Sequence, residues 1–206
     1  HPLVPRTMSK LGWCLLMLFT SLTIVHGDMS TAANEELIMH VPKLSESPTI
    51  DGHLAEGEWA RAAAMTGFRG ARYVTAYPES LRMIWHVGYD DKNLYMAMDA
   101  NFPPQINLKA DVKEPDDNLI LYDDHVEIQV SSTGRQGAKT AGMGFYKLIA
   151  NPRSVLHDTW YYNGTPGTED LWSSGATVES TSGDDFWRLE LKWPLQTMQV
   201  ERADFR

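Results

Sequence analysis

The chain has 206 residues, of which 43% are hydrophobic and 22% are charged, a composition typical of a globular domain rather than of a disordered or membrane-spanning chain. The formal net charge is −9 at pH 7 and no basic cluster is present, so nucleic acid is excluded as an expected partner, because phosphate neutralisation needs clustered cations. The single cysteine, Cys14, excludes a disulfide framework and a thiolate zinc site.

Residues 1–27 contain two parts. Residues 1–7 come first, and residues 8–27 then have the pattern of a secretory signal peptide. Lys10 supplies a positive start, an apolar stretch follows, and Val25-His26-Gly27 predicts cleavage after its last residue. We therefore expect a secreted or periplasmic protein that has no membrane attachment once this peptide is removed. Residues 28–45 are polar and are predicted to form a flexible lead-in.

Residues 46–206 are predicted to form one domain, which begins with two short local signals. Thr49-Ile50-Asp51-Gly52 predicts a short strand that runs into a turn, because Asp-Gly favours that turn. Residues 55–60 are rich in Ala and Glu and favour a helical turn, from which Trp59 would point inward.

Beyond residue 80, apolar and polar side chains alternate with a period of two, which predicts β-strands. The predicted strands cover residues 81–87, 94–100, 125–130, 144–150, 155–162, 175–180 and 187–192. The first two form a hairpin around a turn at 90–93, and Pro194 ends the last strand and starts a short helix. This pattern predicts an all-β fold, an antiparallel β-sandwich of the jelly-roll or immunoglobulin-like kind with one or two short helical turns.

The order of five motifs resembles that in the family 9 carbohydrate-binding modules and their DOMON-like relatives. The motifs are Ile50-Asp51-Gly52 with Glu58-Trp59, Val87-Gly88-Tyr89-Asp90 with Asn93-Leu94-Tyr95-Met96-Ala97, Asp123-Asp124-His125-Val126-Glu127-Ile128, Tyr146-Lys147-Leu148-Ile149-Ala150-Asn151-Pro152, and Trp187-Arg188-Leu189-Glu190-Leu191-Lys192-Trp193-Pro194. The resemblance implies secretion, binding of a polysaccharide or oligosaccharide, and service as an appendage of a glycan-active enzyme. The family usually adds a closing strand after the point where this sequence ends, so we expect a C-terminally truncated domain.

The resemblance also implies a sugar clamped between two Trp rings, with polar side chains that bind its hydroxyls. The residues predicted to bind sugar are Trp160, Tyr162, Asn163, Trp172, Trp85 and Arg153. The first four belong to an aromatic segment with Gly and Pro around it, where exposed rings could stack on a sugar. The alternatives are that Trp160 and Trp172 pack beneath their own loop, that Trp85 is a core residue, and that Arg153 is an ordinary surface residue.

Asp123 and Asp124 open a strand after an acidic loop, and hard carboxylate oxygens of this kind bind calcium. The resemblance likewise implies calcium ions that brace loops, so a structural calcium site is predicted at these two residues. Because the spacing of an EF-hand is absent, the alternative is that they are hydrogen-bonded scaffold residues.

Three hypotheses for function remain open. The first is a non-catalytic carbohydrate-binding module, and the second is a DOMON-type haem-binding electron-transfer domain with ligands from Met83, Met96 or Met98 and from His86 or His125. The third is a structural accessory domain without a ligand. No nucleophile elbow, metalloprotease motif or phosphate loop is present, so nothing in the sequence selects a catalytic residue.

Overall fold

The fold is a sandwich of two five-stranded β-sheets, which confirms the all-β prediction. The computed structural model describes residues 14–16, 39–68, 81–130, 145–162, 165–166 and 172–198. Sheet A has the strand order β1 (Cys14–Leu16), β5 (His125–Val130), β6 (Phe145–Ala150), β7 (Leu156–Tyr162) and β8 (Thr165–Pro166). Sheet B has the order β2 (Ala63–Met65), β3 (Met83–Tyr89), β4 (Asn93–Asn101), β10 (Phe186–Pro194) and β9 (Thr177–Ser182). Two 3₁₀ helices, Asn118–Tyr122 and Leu195–Met198, complete the described elements.

The inner faces of the two sheets build the main core. Trp85, Met98 and Leu189 lie in register across β3, β4 and β10, and each is 0% exposed. Their neighbours along each strand alternate between the core and the outer face, as period-two patterning requires. Val126 and Leu148 of sheet A meet them from the other side of the same core cluster. Complete burial of one such side chain stabilises the fold by roughly 1.5–3 kcal/mol.

The seven strands predicted from alternation are all present, with ends that differ by a few residues. The segment 49–52 is not a strand; it is irregular and bends at Asp51 and Gly52, where the Asp51 side chain accepts a hydrogen bond from His53 N at 2.8 Å. Residues 56–61 form hydrogen-bonded turns rather than a helix. Trp59 does point inward and is 5% exposed, packed with Leu44 over the outer face of sheet B.

The ordered domain begins before the predicted boundary at residue 46. Leu44 N donates to Tyr89 O at 2.7 Å, and Tyr89 N donates to Pro42 O at 3.1 Å. Leu44 is buried against Gly88. A Cβ atom added to Gly88 would lie 2.7 Å from Leu44 Cγ. The last residues of the predicted lead-in are therefore part of the fold.

Strand β1 lies within the predicted signal peptide. It pairs in parallel with the first three residues of β5, so that Cys14 is opposite His125. The other strand pairings are antiparallel within the described parts of both sheets. In the same parts of the chain, no helix is long and apolar enough to cross a membrane. Cleavage after Gly27 stays a prediction.

Candidate functional site

Two of the motifs that carry the resemblance meet at one buried carboxylate, that of Glu190. Trp59 Nε1 donates to Glu190 Oε1 at 2.8 Å, and the backbone N–H groups of Asp51 and Gly52 donate to Oε2 at 3.0 and 2.9 Å. Gly52 has a φ of +79°, and a Cβ atom there would lie 3.0 Å from the Ser180 backbone, so the turn requires glycine. Burial raises the pKa of Glu190, although the three hydrogen bonds oppose this effect. This motif is therefore scaffold.

A second motif, the β3–β4 turn, is organised by Asp90. One Asp90 oxygen accepts hydrogen bonds from Lys92 N and Asn93 N, both at 2.7 Å, and the other accepts from Tyr95 Oη at 2.7 Å. Partial burial opposes ionisation, but these hydrogen bonds prevail and lower the pKa of Asp90. The turn residues of the motif are thus used to shape the hairpin.

Asp123 holds a long loop against the start of β5. Its Oδ1 accepts from Asp111 N at 2.9 Å, and its Oδ2 accepts from Val112 N and Asn151 Nδ2, both at 3.0 Å. The Lys109 ammonium lies 4.0 Å from Oδ1. Both oxygens are therefore directed at N–H donors beside a positive charge, which is the environment of a hydrogen-bonded scaffold carboxylate.

These residues do not fit the predicted calcium site. A calcium ion needs six to eight oxygen ligands, whereas the oxygens of Asp123 already accept three N–H donors. Asp124 Oδ2 accepts from Lys109 N at 2.6 Å. Within the described ranges, no group of three or more His, Cys, Asp or Glu side chains is arranged to hold a metal ion. The observed geometry agrees with the scaffold alternative for these two aspartates.

The predicted aromatic residues that are described pack toward the core at one end of the sandwich. Trp160 pairs with Tyr146 across β6 and β7 and is half-buried against the main core. The Trp172 ring lies 5.2 Å from that of Tyr146, and its Nε1 donates to Thr197 O at 2.9 Å. Both rings are therefore partly covered by the core, by Tyr146 and by the segment at Thr197, and their role in sugar binding stays a prediction.

The other predicted sugar-binding residues are dispersed. Trp85 is 0% exposed, with Nε1 3.0 Å from Met83 Sδ, so it offers no ring face to a ligand and is not part of the site. Arg153 is exposed, but its Nε donates to Ala110 O at 2.6 Å and helps to hold the loop that Asp123 braces. Tyr162 ends β7 and its side chain lies outside the described part of the structure, as does Asn163 entirely.

A pocket opens at the opposite end of the strands and is called the sheet-end pocket here. Its apolar lining consists of Leu81, Met83, Ala100, Phe102, Ile106, Leu108 and Trp187. Its polar lining consists of Arg82, Asn101, Asp124 and His125. Met83, Ala100 and Trp187 form one rung across the end of sheet B, while Asp124 and His125 come from the start of β5 in sheet A.

Backbone hydrogen bonds hold the rim of this pocket in place. Asn101 N donates to Arg82 O at 2.8 Å, and Phe102 N donates to Asp185 O at 2.9 Å. Arg82 is exposed, and its guanidinium forms no ion pair within the described ranges. The pocket therefore has a fixed and mostly apolar lining, with Arg82 and Asn101 among the residues at its rim.

One observation favours the haem hypothesis, and several observations oppose it. Met83 and His125 line the same pocket, but Met83 Sδ is 3.0 Å from Trp85 Nε1. His125 Nδ1 lies 2.9 Å from Asp123 O, and its Nε2 lies 3.8 Å from Glu127 Oε1. Each ligand atom is thus already engaged. His86, Met96 and Met98 do not converge, because His86 lies on the outer face of sheet B and the two Met side chains are in the core.

No protein-family model matches the sequence, and no curated protein matches it. Among solved structures, the chain is similar to a protein from Bacteroides uniformis that is named for a proposed carbohydrate-binding role, with a TM-score of 0.52 and 11% identity over 76% of this chain and 71% of that one. The two share a fold. That fold is a β-sandwich, as the alternation of the sequence predicted.

The chain also aligns with two structures of a family 9 carbohydrate-binding module from Caldicellulosiruptor kristjanssonii. The module in complex with glucose has a TM-score of 0.47, and the one in complex with cellotriose has a TM-score of 0.43. Both are 15% identical to the chain and cover 75% of it, while the alignment covers 68% and 65% of the respective modules. At such identities, similarity describes architecture and assigns no ligand.

Sequence reasoning selected Asp124, Met83 and His125 for other roles and did not group them with the remaining pocket residues, because these belong to four separate segments. Arg82 lies within the predicted strand 81–87, Asn101 is the last residue of β4, and Phe102 begins the Pro-rich loop that follows. The one available signal was the Phe-Pro-Pro sequence at 102–104, where an aromatic residue precedes two residues that end a strand.

Proposed function

We propose that the chain is a non-catalytic carbohydrate-binding module and that the sheet-end pocket is its sugar site. The observation that carries the proposal is a fixed apolar pocket that has Arg82, exposed and free of ion pairs in the described chain, among its lining residues. A pyranose ring has apolar C–H faces and a rim of hydroxyl groups, so it complements both parts. The fold shared with the Bacteroides uniformis protein supports the proposal.

Each polar group at the pocket has a distinct task in this proposal. The planar guanidinium of Arg82 donates two parallel hydrogen bonds to neighbouring hydroxyls, a geometry that lysine cannot reproduce. The Asn101 amide offers both a donor and an acceptor. Asp124 uses Oδ2 for Lys109 N and retains Oδ1 as an acceptor for a sugar hydroxyl.

The same pocket argues for binding without hydrolysis. Glycosidases of the common type place two carboxylates on either side of the bond that they cleave. Asp124 is the one carboxylate among the described residues that line the sheet-end pocket. We therefore assign no catalytic residue, and any hydrolysis would belong to another domain of a longer glycan-active protein, as the sequence resemblance implies.

Secretion is part of this proposal. The signal-peptide pattern over 8–27 supports export, which would place the domain where polysaccharides are encountered. The acidic net charge supports neutral rather than acidic chains as ligands, because a net charge of −9 repels polyanions.

The proposal is tested by the change Arg82→Ala. Loss of two hydrogen bonds is expected to weaken binding about tenfold, because each contributes roughly 0.5–1.5 kcal/mol. Titration calorimetry with glucose and cellotriose, and affinity electrophoresis with xylan and soluble cellulose derivatives, measure the affinities of the full chain. Glucose and cellotriose are included because they are bound in the two aligned family 9 modules.

Arg61→Ala is the matched control, since Arg61 is also exposed but lies on the turn that precedes β2. It should bind as the unmodified chain does. Failure of the unmodified chain to bind any of these probes would favour the structural accessory domain. Equal affinities of the two variants would remove Arg82 from the site.

A further inference from the structure

A rigid, exposed apolar surface lies on the 3₁₀ helix Asn118–Tyr122 and is called the platform here. It consists of Leu119, Leu121 and Tyr122, whose side chains are 58%, 47% and 72% exposed. Such residues are normally buried or kept apart on the surface of a soluble protein, so three of them on one helical turn indicate a contact surface.

The platform is held firmly by its own helix. Ile120, between the exposed residues, is 0% exposed and packs in a small core with Val112, Ile149 and Val155. Asp117 caps the helix by accepting from Leu119 N at 2.8 Å. A ring on a fixed backbone loses little conformational entropy when a ligand covers it, and tyrosine has few rotatable bonds to immobilise.

The platform and the sheet-end pocket are close to each other in the chain. Asp124 lines the pocket and follows Tyr122 by two residues, so their Cα atoms are at most about 7 Å apart. Lys109 ties the two together, because its backbone N–H donates to Asp124 Oδ2 at 2.6 Å and its Nζ donates to Tyr122 O at 2.8 Å. A ligand that extends from the pocket by one sugar unit in this direction would reach the ring of Tyr122.

The surroundings of the platform favour a neutral polymer as its occupant. Charges of both signs lie near it, since exposed Glu114 and Asp116 precede the helix in the chain and the Lys109 ammonium donates to Tyr122 O, so no single sign attracts a charged polymer. Three apolar side chains are also far fewer than the roughly 20–30 residues that each partner contributes to a stable protein interface. One flat ring, in contrast, is matched in size to one sugar.

From these observations we propose that Tyr122 forms a second sugar subsite, on which a neutral polysaccharide chain stacks after its end enters the sheet-end pocket. The inference rests on the proposed function of that pocket. It predicts that the module prefers oligosaccharides and polymers to single sugars, and that Tyr122 supplies the preference. The phenolic hydroxyl is not required, because stacking uses the face of the ring.

The test compares Tyr122→Ala, Tyr122→Phe and Leu119→Ala in the full chain, with glucose, cellotriose and xylan as probes. Tyr122→Ala is expected to weaken binding of cellotriose or xylan about fivefold to tenfold, because the stacking ring is removed while the pocket is left intact. Glucose binding should be unchanged. Tyr122→Phe should retain the affinity for chains, and Leu119→Ala should do so as well, because the stacking ring remains.

The possible failures can be told apart. If Arg82→Ala weakens binding of the longer chains while Tyr122→Ala does not, the pocket stands and the second subsite is disproved. If Tyr122→Ala reduces glucose binding as strongly as chain binding, Tyr122 belongs to the pocket and is no separate subsite. If no probe binds to the unmodified chain, the proposed function itself fails.

Discussion

Glu190 joins two segments that are more than a hundred residues apart in the sequence, since its partner Trp59 lies 131 positions earlier. The Glu190 side chain is 0% exposed and accepts three hydrogen bonds from donors that are buried or partly buried. A buried donor without a partner costs about 1–3 kcal/mol, so the side chain stabilises the fold mainly by preventing three such losses.

Glu190→Ala is expected to lower the free energy of unfolding by about 3 kcal/mol or more, because it removes one buried charged acceptor and leaves three donors unpaired. Urea denaturation followed by tryptophan fluorescence measures the change. The control is Glu179→Ala, whose side chain is exposed at the position opposite Glu190 on β9 and should alter stability little. Equal losses for the two variants would contradict the role given to Glu190.

The same pair of variants reports a pH dependence. Burial raises the pKa of Glu190 above its ordinary value of 4.5, so the folded protein holds this proton more tightly than the unfolded chain does. The contribution of Glu190 to stability is therefore complete below pH 4.5 and declines as the pH rises through the folded pKa. The stability lost in Glu190→Ala should be larger at pH 4 than at pH 8. A loss that increases with pH would show that the hydrogen bonds outweigh burial.

At the scale of elements, alternation predicted the strands well wherever one face meets the core and the other does not. Residues 125–130 were predicted as a strand and form one with the same limits. The 3₁₀ helix Asn118–Tyr122 was not predicted, because Leu119, Ile120 and Leu121 are consecutive apolar residues without a period. This helix depends on the burial of Ile120 in a core that it forms with residues of other segments. A local sequence pattern does not show those contacts.

The loop that precedes β5 shows a second limit of sequence reasoning. Asp123 and Asp124 follow other acids, and such a cluster has the composition of a calcium loop. The composition does not reveal that the backbone N–H groups of Asp111 and Val112 donate hydrogen bonds to the Asp123 carboxylate. Hydrogen bonds between segments that meet only in three dimensions favour the scaffold alternative.

Chelation by EDTA is accordingly expected to leave the Tm unchanged, while Asp123→Ala should lower the free energy of unfolding by about 2–4 kcal/mol through the loss of three acceptor contacts. Calorimetry of both proteins, with and without added calcium, makes the comparison. Glu114→Ala is a suitable control, because the Glu114 side chain is exposed in the same loop. A Tm that falls with EDTA and recovers with calcium would restore the predicted calcium site.

At the scale of the whole molecule, the two ends of the sandwich are alternative candidates for the sugar site. The sheet-end pocket lies where β5 and β10 begin, and the Trp160, Trp172 and Tyr146 cluster lies near the ends of the same strands. The first end has a mostly apolar pocket with exposed Arg82 among its lining residues. The second has rings that are already packed against protein. The two ends of the sandwich are not equivalent by symmetry. One end can therefore bind a ligand while the aromatic rings at the other end cover the core.

This division predicts opposite effects for two variants. Trp172→Ala removes a ring that packs on Tyr146 and donates to Thr197 O, so it should lower the free energy of unfolding by about 2–3 kcal/mol. Its affinity for cellotriose and xylan should be unchanged below the unfolding transition. Arg82→Ala should do the reverse, with weaker binding and unchanged stability, because its exposed side chain forms no ion pair within the described structure. Affinity electrophoresis and thermal unfolding of both variants measure the two effects. Lost binding with intact stability in Trp172→Ala would move the sugar site to the aromatic end.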